Sequence, residues 1–389
     1  MSEFQQESLP EPLPPEQGGD RLLAPREDTV RPEPAETRLL KWLLFGPHGV
    51  RAGWSAVLFL VLMLLATFIA GAGASLLLKT QHASPGHFAA VSAIFGDGLT
   101  VIGLAAALFA VSRIERRQIG SYYLGGRQTA LKFLGGATGG FLALSVLVFT
   151  LYFGGFLHFS PATLGLAEIL RFGLLWAIAF LLVGLSEEGM FRTYLLYTLA
   201  RGMNFWWSAG CVGALCLFAL LNTKGNGSAG VYMMAALGVA PCFRLHQTRS
   251  PASGFWQAAW FTSTAFGYVH TFNPGESWIG IFSAAAIGFV FCVSVRLTGS
   301  AWWAIGFHAA WDWTQTFFYG TPDSGLAPQG HYLSTAPDGA AFWSGGKDGP
   351  EGSILVLPIV LLTLLVVTLL YRRRSLPESP STAVEAQLS

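Results

Sequence analysis

Long apolar segments, separated by short polar connections, fill most of this chain from about residue 54 onward. They lie at about 54–78, 88–111, 131–156, 164–199, 205–221, 230–243, 255–270, 278–295, 301–319 and 354–371. Because a helix rises about 1.5 Å per residue, roughly 20 apolar residues cross a bilayer. The pattern therefore predicts an all-α fold, a polytopic transmembrane helical bundle of roughly 8–10 spans with disordered termini.

Two of these segments, 205–221 and 230–243, are near or below the roughly 17 residues that a spanning helix needs. They can either cross the membrane or form a re-entrant pair. Both arrangements preserve the orientation of the other segments.

The third segment contains a glycine-rich stretch, residues 135–140. Overlapping pairs of small residues four positions apart predict close packing against another helix. A phosphate-binding loop would need a preceding strand, and the pattern contains none.

The composition agrees with a membrane protein and excludes one class of partner. The chain has 389 residues, of which 52% are hydrophobic and 12% charged, whereas soluble domains carry about 25% charged residues. The net charge of +1 leaves no basic patch for a nucleic acid. The four cysteines lack zinc-ligand spacing and are interpreted as small core residues.

Basic clusters at 113–117 and 372–374 orient the chain, because positive charge is enriched in cytoplasmic connections. They predict a multi-pass integral membrane protein with both termini in the cytoplasm. The predicted regions are a disordered cytoplasmic tail at 1–40, N-terminal transmembrane helices at 41–160, a membrane core at 165–320, an extracytoplasmic loop at 321–352, a last transmembrane helix at 353–374 and a cytoplasmic tail at 375–389.

The fourth apolar segment contains Glu187, Glu188 and Arg192. A single charged residue at the centre of a membrane helix costs roughly 2.5–3.5 kcal/mol, so these residues predict a functional site. Glu188 and Arg192 are four residues apart and share a helix face, whereas Glu187 points about 100° away. Glu187 is therefore a candidate general base. The alternative is a purely structural role, in which Glu188 and Arg192 form a buried ion pair and Glu187 is an additional carboxylate without a function.

Two later segments carry histidines. His270 ends the segment that precedes Asn273, and His308 lies one helical turn before Asp312. A carboxylate at that spacing can fix the tautomer of the imidazole. A single histidine with apolar neighbours is more often a hydrogen-bonded core residue, and the lone Asp97 of the second segment is interpreted as structural.

Taken together, these residues suffice for water activation and oxyanion stabilisation in a membrane cavity. They also suffice for a metal such as zinc, with Glu187, His270 and His308 as the ligands. No HExxH or GxSxG pattern occurs, so neither a zincin nor a serine hydrolase is indicated.

Three motifs, Glu-Glu-x-x-x-Arg, Phe-x-x-x-His and His-x-x-x-Asp, follow one another over roughly residues 165–320. In this respect the chain resembles the CAAX protease and bacteriocin-processing (CPBP) family of intramembrane endopeptidases, which includes the type II prenyl-protein proteases. The resemblance implies that Glu187 activates water with help from His270. It also implies that Glu188 and Arg192 support Glu187, and that His308 and Asp312 stabilise the oxyanion.

The chain departs from the family pattern in two ways. Many members have Asn where this chain has Asp312, and an ionised Asp cannot donate a hydrogen bond to an oxyanion. Extra segments near 205–250 lengthen the distance between the first two motifs. In addition, simple alternation of the spans puts Glu187 near the cytoplasmic end of its helix and His270 near the outer end of its own.

The sequence thus predicts an intramembrane endopeptidase, and residues 165–320 as its catalytic core. Its substrates would be membrane-bound proteins or peptides in the lipid bilayer, including lipidated CAAX-type ones, and its metal dependence stays open. One alternative is a catalytically divergent scaffold or immunity protein. Another is a proton-coupled transporter. Paired, Gly/Pro-broken helices in two similar halves of the chain would favour this function, and the sequence shows no such repeat.

Overall fold

A computed structural model describes residues 35–46, 49–77, 87–161, 164–222 and 228–372. The predicted C-terminal tail, most of the predicted N-terminal tail and the connection at 223–227 lie outside the described residues. The chain divides into an N-terminal unit, Met1–Phe45, and a larger unit, Gly46–Ser389. In the N-terminal unit, α1 (Ala35–Leu44) has Glu36 in its first turn and Lys41 in its last.

The larger unit is a helical bundle, as predicted. Its helices are α2 (Ala52–Leu77), α3 (Ala90–Glu115), α4 (Thr129–Phe153), α5 (Leu166–Gly189), α6 (Leu196–Ala200), α7 (Phe205–Asn222), α8 (Ser228–Gln247), α9 (Ser253–His270), α10 (Trp278–Thr298), α11 (Trp302–Trp313), α12 (Ala341–Ser344) and α13 (Val356–Tyr371). Among the described residues, seven helical stretches are long and apolar enough to cross a membrane. These seven include α7 and α8, so both of the short segments reach spanning length.

The described residues also form short strands. They are β1 (Phe45–Gly46), β2 (Gly49–Val50), β3 (His87–Phe88), β4 (Leu157–Ser160), β5 (Ala327–Pro328) and β6 (Ser334–Pro337). β3 pairs with β5 in parallel, and β4 pairs antiparallel with β6, with Leu157 opposite Pro337. The 321–352 loop is therefore hydrogen-bonded to the connections that precede α3 and follow α4.

Glycines set the packing of α4 against α11, which confirms the packing role of the 135–140 stretch. A side chain added at Gly136 would meet the backbone oxygen of Trp303, and one at Gly140 would meet that of Phe307. Gly306 on α11 approaches the backbone of Phe133 in the same way. This close contact fixes the position of α11, which carries His308 and Asp312.

Candidate active site

The two acidic motifs each precede a π-helical turn. Glu187 and Glu188 lie in the last turn of α5, and Met190–Leu195 follow as a π-helix before α6. Asp312 lies in the last turn of α11, and Thr314–Phe318 follow as a second π-helix. Such turns are rare and often occur at functional sites. No pattern in the sequence predicts them.

The predicted pair of Glu188 and Arg192 is present and completely buried. Arg192 Nε lies 3.1 Å from Glu188 Oε2, and both side chains have 0% exposure. The guanidinium carbon is 4.2 Å from the ring centre of Phe266 and 5.6 Å from that of Phe291. Arg192 also lies directly against Gly288 of α10, where any side chain would meet its Nη2. The charge of Glu188 is thus neutralised within an aromatic wall.

His308 lies among three carboxyl groups. Its Nδ1 is 2.9 Å from Glu188 Oε1, and its Nε2 is 3.4 Å from Asp312 Oδ2 and 3.9 Å from Glu187 Oε2. Because a carboxylate only accepts hydrogen bonds, His308 donates its Nδ1 hydrogen to Glu188. The first and third motifs therefore meet in space, although 120 residues separate His308 from Glu188.

Glu187 differs from its neighbour Glu188 in both exposure and pairing. Its side chain is 35% exposed, and Glu187 Oε2 has no hydrogen-bond partner in the part of the chain that the structure describes. This oxygen is itself buried, so a water enclosed in the site, and not bulk solvent, would be its partner.

His270 faces the same region from α9. Its Nδ1 lies 2.7 Å from the backbone oxygen of Phe266, so the hydrogen is on Nδ1 and Nε2 remains an acceptor. His270, His308 and Asp312 line one cavity of about 60 Å³, and about 10–15 Å³ on this measure admits a water. The conflict between the heights of Glu187 and His270 is reduced, because Glu187 lies well inside the 35-residue span Leu166–Ala200 rather than at its end.

One expected contact differs. The resemblance makes His270 the partner of Glu187, yet it is His308 whose nitrogen lies within 4.0 Å of the Glu187 carboxylate. For His270, the polar contact seen within the described ranges is the one to the Phe266 backbone.

A zinc site made of Glu187, His270 and His308 does not fit this geometry. Across the described parts of the chain, no three His, Cys, Asp or Glu side chains are arranged to hold a metal ion. Both His308 nitrogens face carboxylates, and His270 Nδ1 faces a backbone oxygen.

Asp97 belongs to the electrostatic surroundings of this site. Its carboxyl group interacts with the charges of Glu187 and His308 across the α3–α5 contact. Sequence reasoning gave it a structural role. The sequence did contain a signal for a functional role, because an acidic residue inside an apolar helix often marks a functional position in a membrane protein.

A second group that the sequence did not reveal consists of four carboxyl groups, called here the loop acids: Glu276, Asp323, Asp348 and Glu351. Ser277 N–H donates to Asp348 Oδ2 over 2.9 Å, and Thr316 Oγ1 donates to Asp323 Oδ2 over 2.8 Å. Burial, with neighbouring carboxylates adding to it, raises the pKa of Glu276 to about 7 and the pKa of Asp348 to about 7.

Comparison with known proteins gives one family match. A family model described as "Type II CAAX prenyl endopeptidase Rce1-like" matches residues 169–254 and 242–314. No curated protein and no solved structure matches the chain. The matched ranges contain all six predicted site residues, which are Glu187, Glu188, Arg192, His270, His308 and Asp312. With its apolar helices and the three motifs in order, this chain is similar over residues 169–314, less than half of its length, to the CPBP family of CAAX-type membrane proteases.

Proposed function

We propose that the protein hydrolyses peptide bonds of membrane-associated substrates by using a water molecule that Glu187 activates. The observation that carries this proposal is the contrast between two adjacent glutamates. Glu188 is completely buried and lies 3.1 Å from Arg192 and 2.9 Å from His308, whereas Glu187 is 35% exposed and lies 3.9 Å from His308. An unpaired carboxylate next to a fixed imidazole is what general-base attack by water requires.

The remaining residues take supporting roles in this mechanism. Glu187 accepts a proton from water as the water oxygen bonds to the substrate carbonyl carbon. His308 donates to the oxyanion that forms, and it is oriented by Glu188 at Nδ1. An ionised Asp312 cannot donate to the oxyanion; at 3.4 Å it keeps a hydrogen on His308 Nε2, and that hydrogen turns from Asp312 to the oxyanion as the oxyanion forms. His270 Nε2 accepts a hydrogen from cavity water.

The walls of the cavity suit a substrate that reaches the site from the bilayer. Apart from its polar groups, the cavity is lined by apolar side chains of α10 and α13, including Ile287, Phe291, Val356 and Val360. Such walls suit apolar side chains of a substrate, and a lipid anchor would hold that substrate at membrane depth. Lipidated CAAX-type peptides therefore belong to the proposed substrate class.

Cleavage by the purified, detergent-solubilised protein tests this function. We would compare the wild type with Glu187→Ala and with Glu115→Ala, a control in a buried cluster outside the site. The substrates would be one prenylated and one unprenylated fluorogenic peptide, each tested with and without a chelator. We expect chelator-insensitive cleavage that only Glu187→Ala abolishes. Equal cleavage by the wild type and Glu187→Ala would contradict the proposal.

A further inference from the structure

The 321–352 loop delivers a carboxyl group to the cavity that contains His308. Glu351 lines this cavity together with His270, His308 and Asp312. Trp311, the residue directly before Asp312, donates its indole N–H to Glu351 Oε1 over 2.6 Å. Glu351 is therefore tied to the third motif by a direct hydrogen bond, although it lies 40 residues further along the chain.

The segment around Glu351 is firmly held, so its carboxyl group has a fixed position. Ser353 Oγ donates to the Trp343 backbone oxygen over 2.5 Å, and Ser277 N–H donates to Asp348 over 2.9 Å. Gly349 adopts a φ of +95° and packs against the backbone of Pro322, a conformation that favours glycine. The short helical turn Pro350–Gly352 packs onto α10 and α13.

The charges around Glu351 favour its neutral form. Burial raises the pKa of this carboxyl group well above its usual range, and the negative charges of Asp323, Asp312, Glu276 and Asp348 raise it further. His308 and His270 line the same cavity. The Trp311 N–H occupies Oε1, so the proton resides on Oε2, where it can be donated.

We propose that Glu351 is a further catalytic residue of this site, whose carboxyl group faces the peptide in the cavity and gives a proton to the leaving nitrogen. This inference rests on the proposed peptidase function. It assigns the general base and the general acid to two different glutamates, one from α5 and one from the loop that follows α11.

The step balances as follows. The water oxygen bonds to the carbonyl carbon while its proton passes to Glu187. The carbon–nitrogen bond then breaks as the nitrogen takes the proton from Glu351 Oε2, which leaves a carboxylate. The products are a carboxylic acid and an amine. Glu187 then releases its proton to water and Glu351 takes one up from water in the cavity, so no oxidant or reductant is needed.

The first test needs no substrate. An apolar carbodiimide reacts with protonated carboxyl groups, and mass spectrometry locates the adducts. At neutral pH we expect modification of Glu351 but not of Asp338, an exposed acid of the same loop whose pKa is lowered by its hydrogen bond to His158. The Glu351 adduct should disappear at high pH. Absence of a Glu351 adduct at neutral pH would overturn the proposal, because an ionised or inaccessible group cannot donate a proton.

The second test uses leaving groups of different basicity. We would compare Glu351→Gln, which still accepts from Trp311 but carries no acidic proton, with Asp338→Asn. On an ordinary peptide we expect Glu351→Gln to lower kcat about 100-fold with KM nearly unchanged. In the wild type, kcat/KM should fall at high pH as Glu351 loses its proton, and Glu351→Gln should lack this fall. On the matching ester, whose leaving group needs less protonation, the defect should shrink to a few-fold.

An equal defect of Glu351→Gln on the amide and the ester would show a structural role and contradict the assignment. Normal activity of Glu351→Gln would contradict it too. A wild type that cleaves none of the substrates would instead contradict the proposed function and, with it, the catalytic role. The carbodiimide result would still decide independently whether Glu351 presents a proton to the cavity.

Discussion

Two buried clusters of this protein each combine glutamate with arginine, but they are completed differently. In the first, called here the Glu115 clamp, Tyr194 donates to Glu115 Oε1 over 2.6 Å and Tyr122 donates to Oε2 over 3.3 Å, while Arg201 Nη2 lies 3.3 Å from Oε1. Both carboxylate oxygens of Glu115 therefore have donors.

In the active-site cluster, by contrast, several polar atoms lack hydrogen-bond partners. Glu188 and Arg192 neutralise each other, but Glu187 adds a carboxylate with an oxygen that lacks a hydrogen-bond partner. Arg192 Nη1 and Nη2 likewise lack hydrogen-bond partners among the described residues. In the Glu115 clamp both carboxylate oxygens have donors, and Arg201 Nε is the clamp atom that lacks a partner among the described residues. Unsatisfied capacity beside a cavity indicates a site that completes its hydrogen bonds with water and substrate.

The largest difference is expected when a carboxylate is made neutral in each cluster. Glu187→Gln removes the base and should lower kcat by about 10²–10⁴-fold. Glu115→Gln should leave kcat within a few-fold of the wild type, because the clamp does not reach the cavity. Peptide cleavage assays give both kcat values, once gel filtration has shown that both variants are folded like the wild type. A strong loss of activity in Glu115→Gln would remove the distinction between the clusters.

Replacing the arginine of each cluster should lower the free energy of unfolding by different amounts. Arg192→Met leaves Glu188 charged and buried, which should lower the free energy of unfolding by about 3–5 kcal/mol. Arg201 is 26% exposed, and Arg201→Met should cost about 0–1 kcal/mol. Thermal unfolding in detergent measures both. Similar midpoints for the two variants would mean that Arg192 is better solvated than the structure indicates.

A smaller effect is expected at the glycine against which Arg192 packs. Gly288→Ala places a methyl group on Arg192 Nη2, and such overpacking should lower stability by about 1–3 kcal/mol and also reduce activity. Gly213→Ala is the matched helical control, because nothing lies within 4 Å of its added carbon. If both variants behave alike in thermal unfolding and cleavage, the packing of Arg192 against α10 is wrong.

A further difference concerns pH. Asp348 has a pKa raised from 3.8 to about 7, so the folded state holds a proton that the unfolded state releases. Its contribution to stability is complete at low pH and is lost as the pH rises towards about 7. Asp348→Asn should flatten this part of the stability profile. Asp338→Asn, at an exposed site, should leave the slope unchanged, and a profile of Asp348→Asn identical to wild type would contradict the raised pKa.

Local spacing explains what could be predicted from the sequence. The i,i+4 spacing of Glu188 and Arg192 predicts an ion pair, and the small residues of 135–140 predict close helix contact. Both are present. Apolar length likewise predicts the helical membrane fold. These features depend on residues that are neighbours along one helix, so periodicity alone reveals them.

Tertiary packing explains what could not be predicted. The contact of His308 with Glu187 and Glu188 joins α11 to α5, and Asp97 reaches the site from α3. Glu351 comes from a loop whose sequence shows only polar and Gly/Pro-rich character. The π-helical turns after Gly189 and Trp313 also have no pattern at the sequence level. Each of these features depends on how distant elements pack.

The central claim is that Glu187 activates water and does not itself attack the peptide. A single turnover with excess enzyme in heavy-oxygen water tests it most directly. The account predicts that the new carboxyl group of the product carries the heavy oxygen after this first turnover and that Glu187 stays unlabelled. Heavy oxygen in Glu187, together with an unlabelled product, would show a covalent acyl-enzyme and contradict the account.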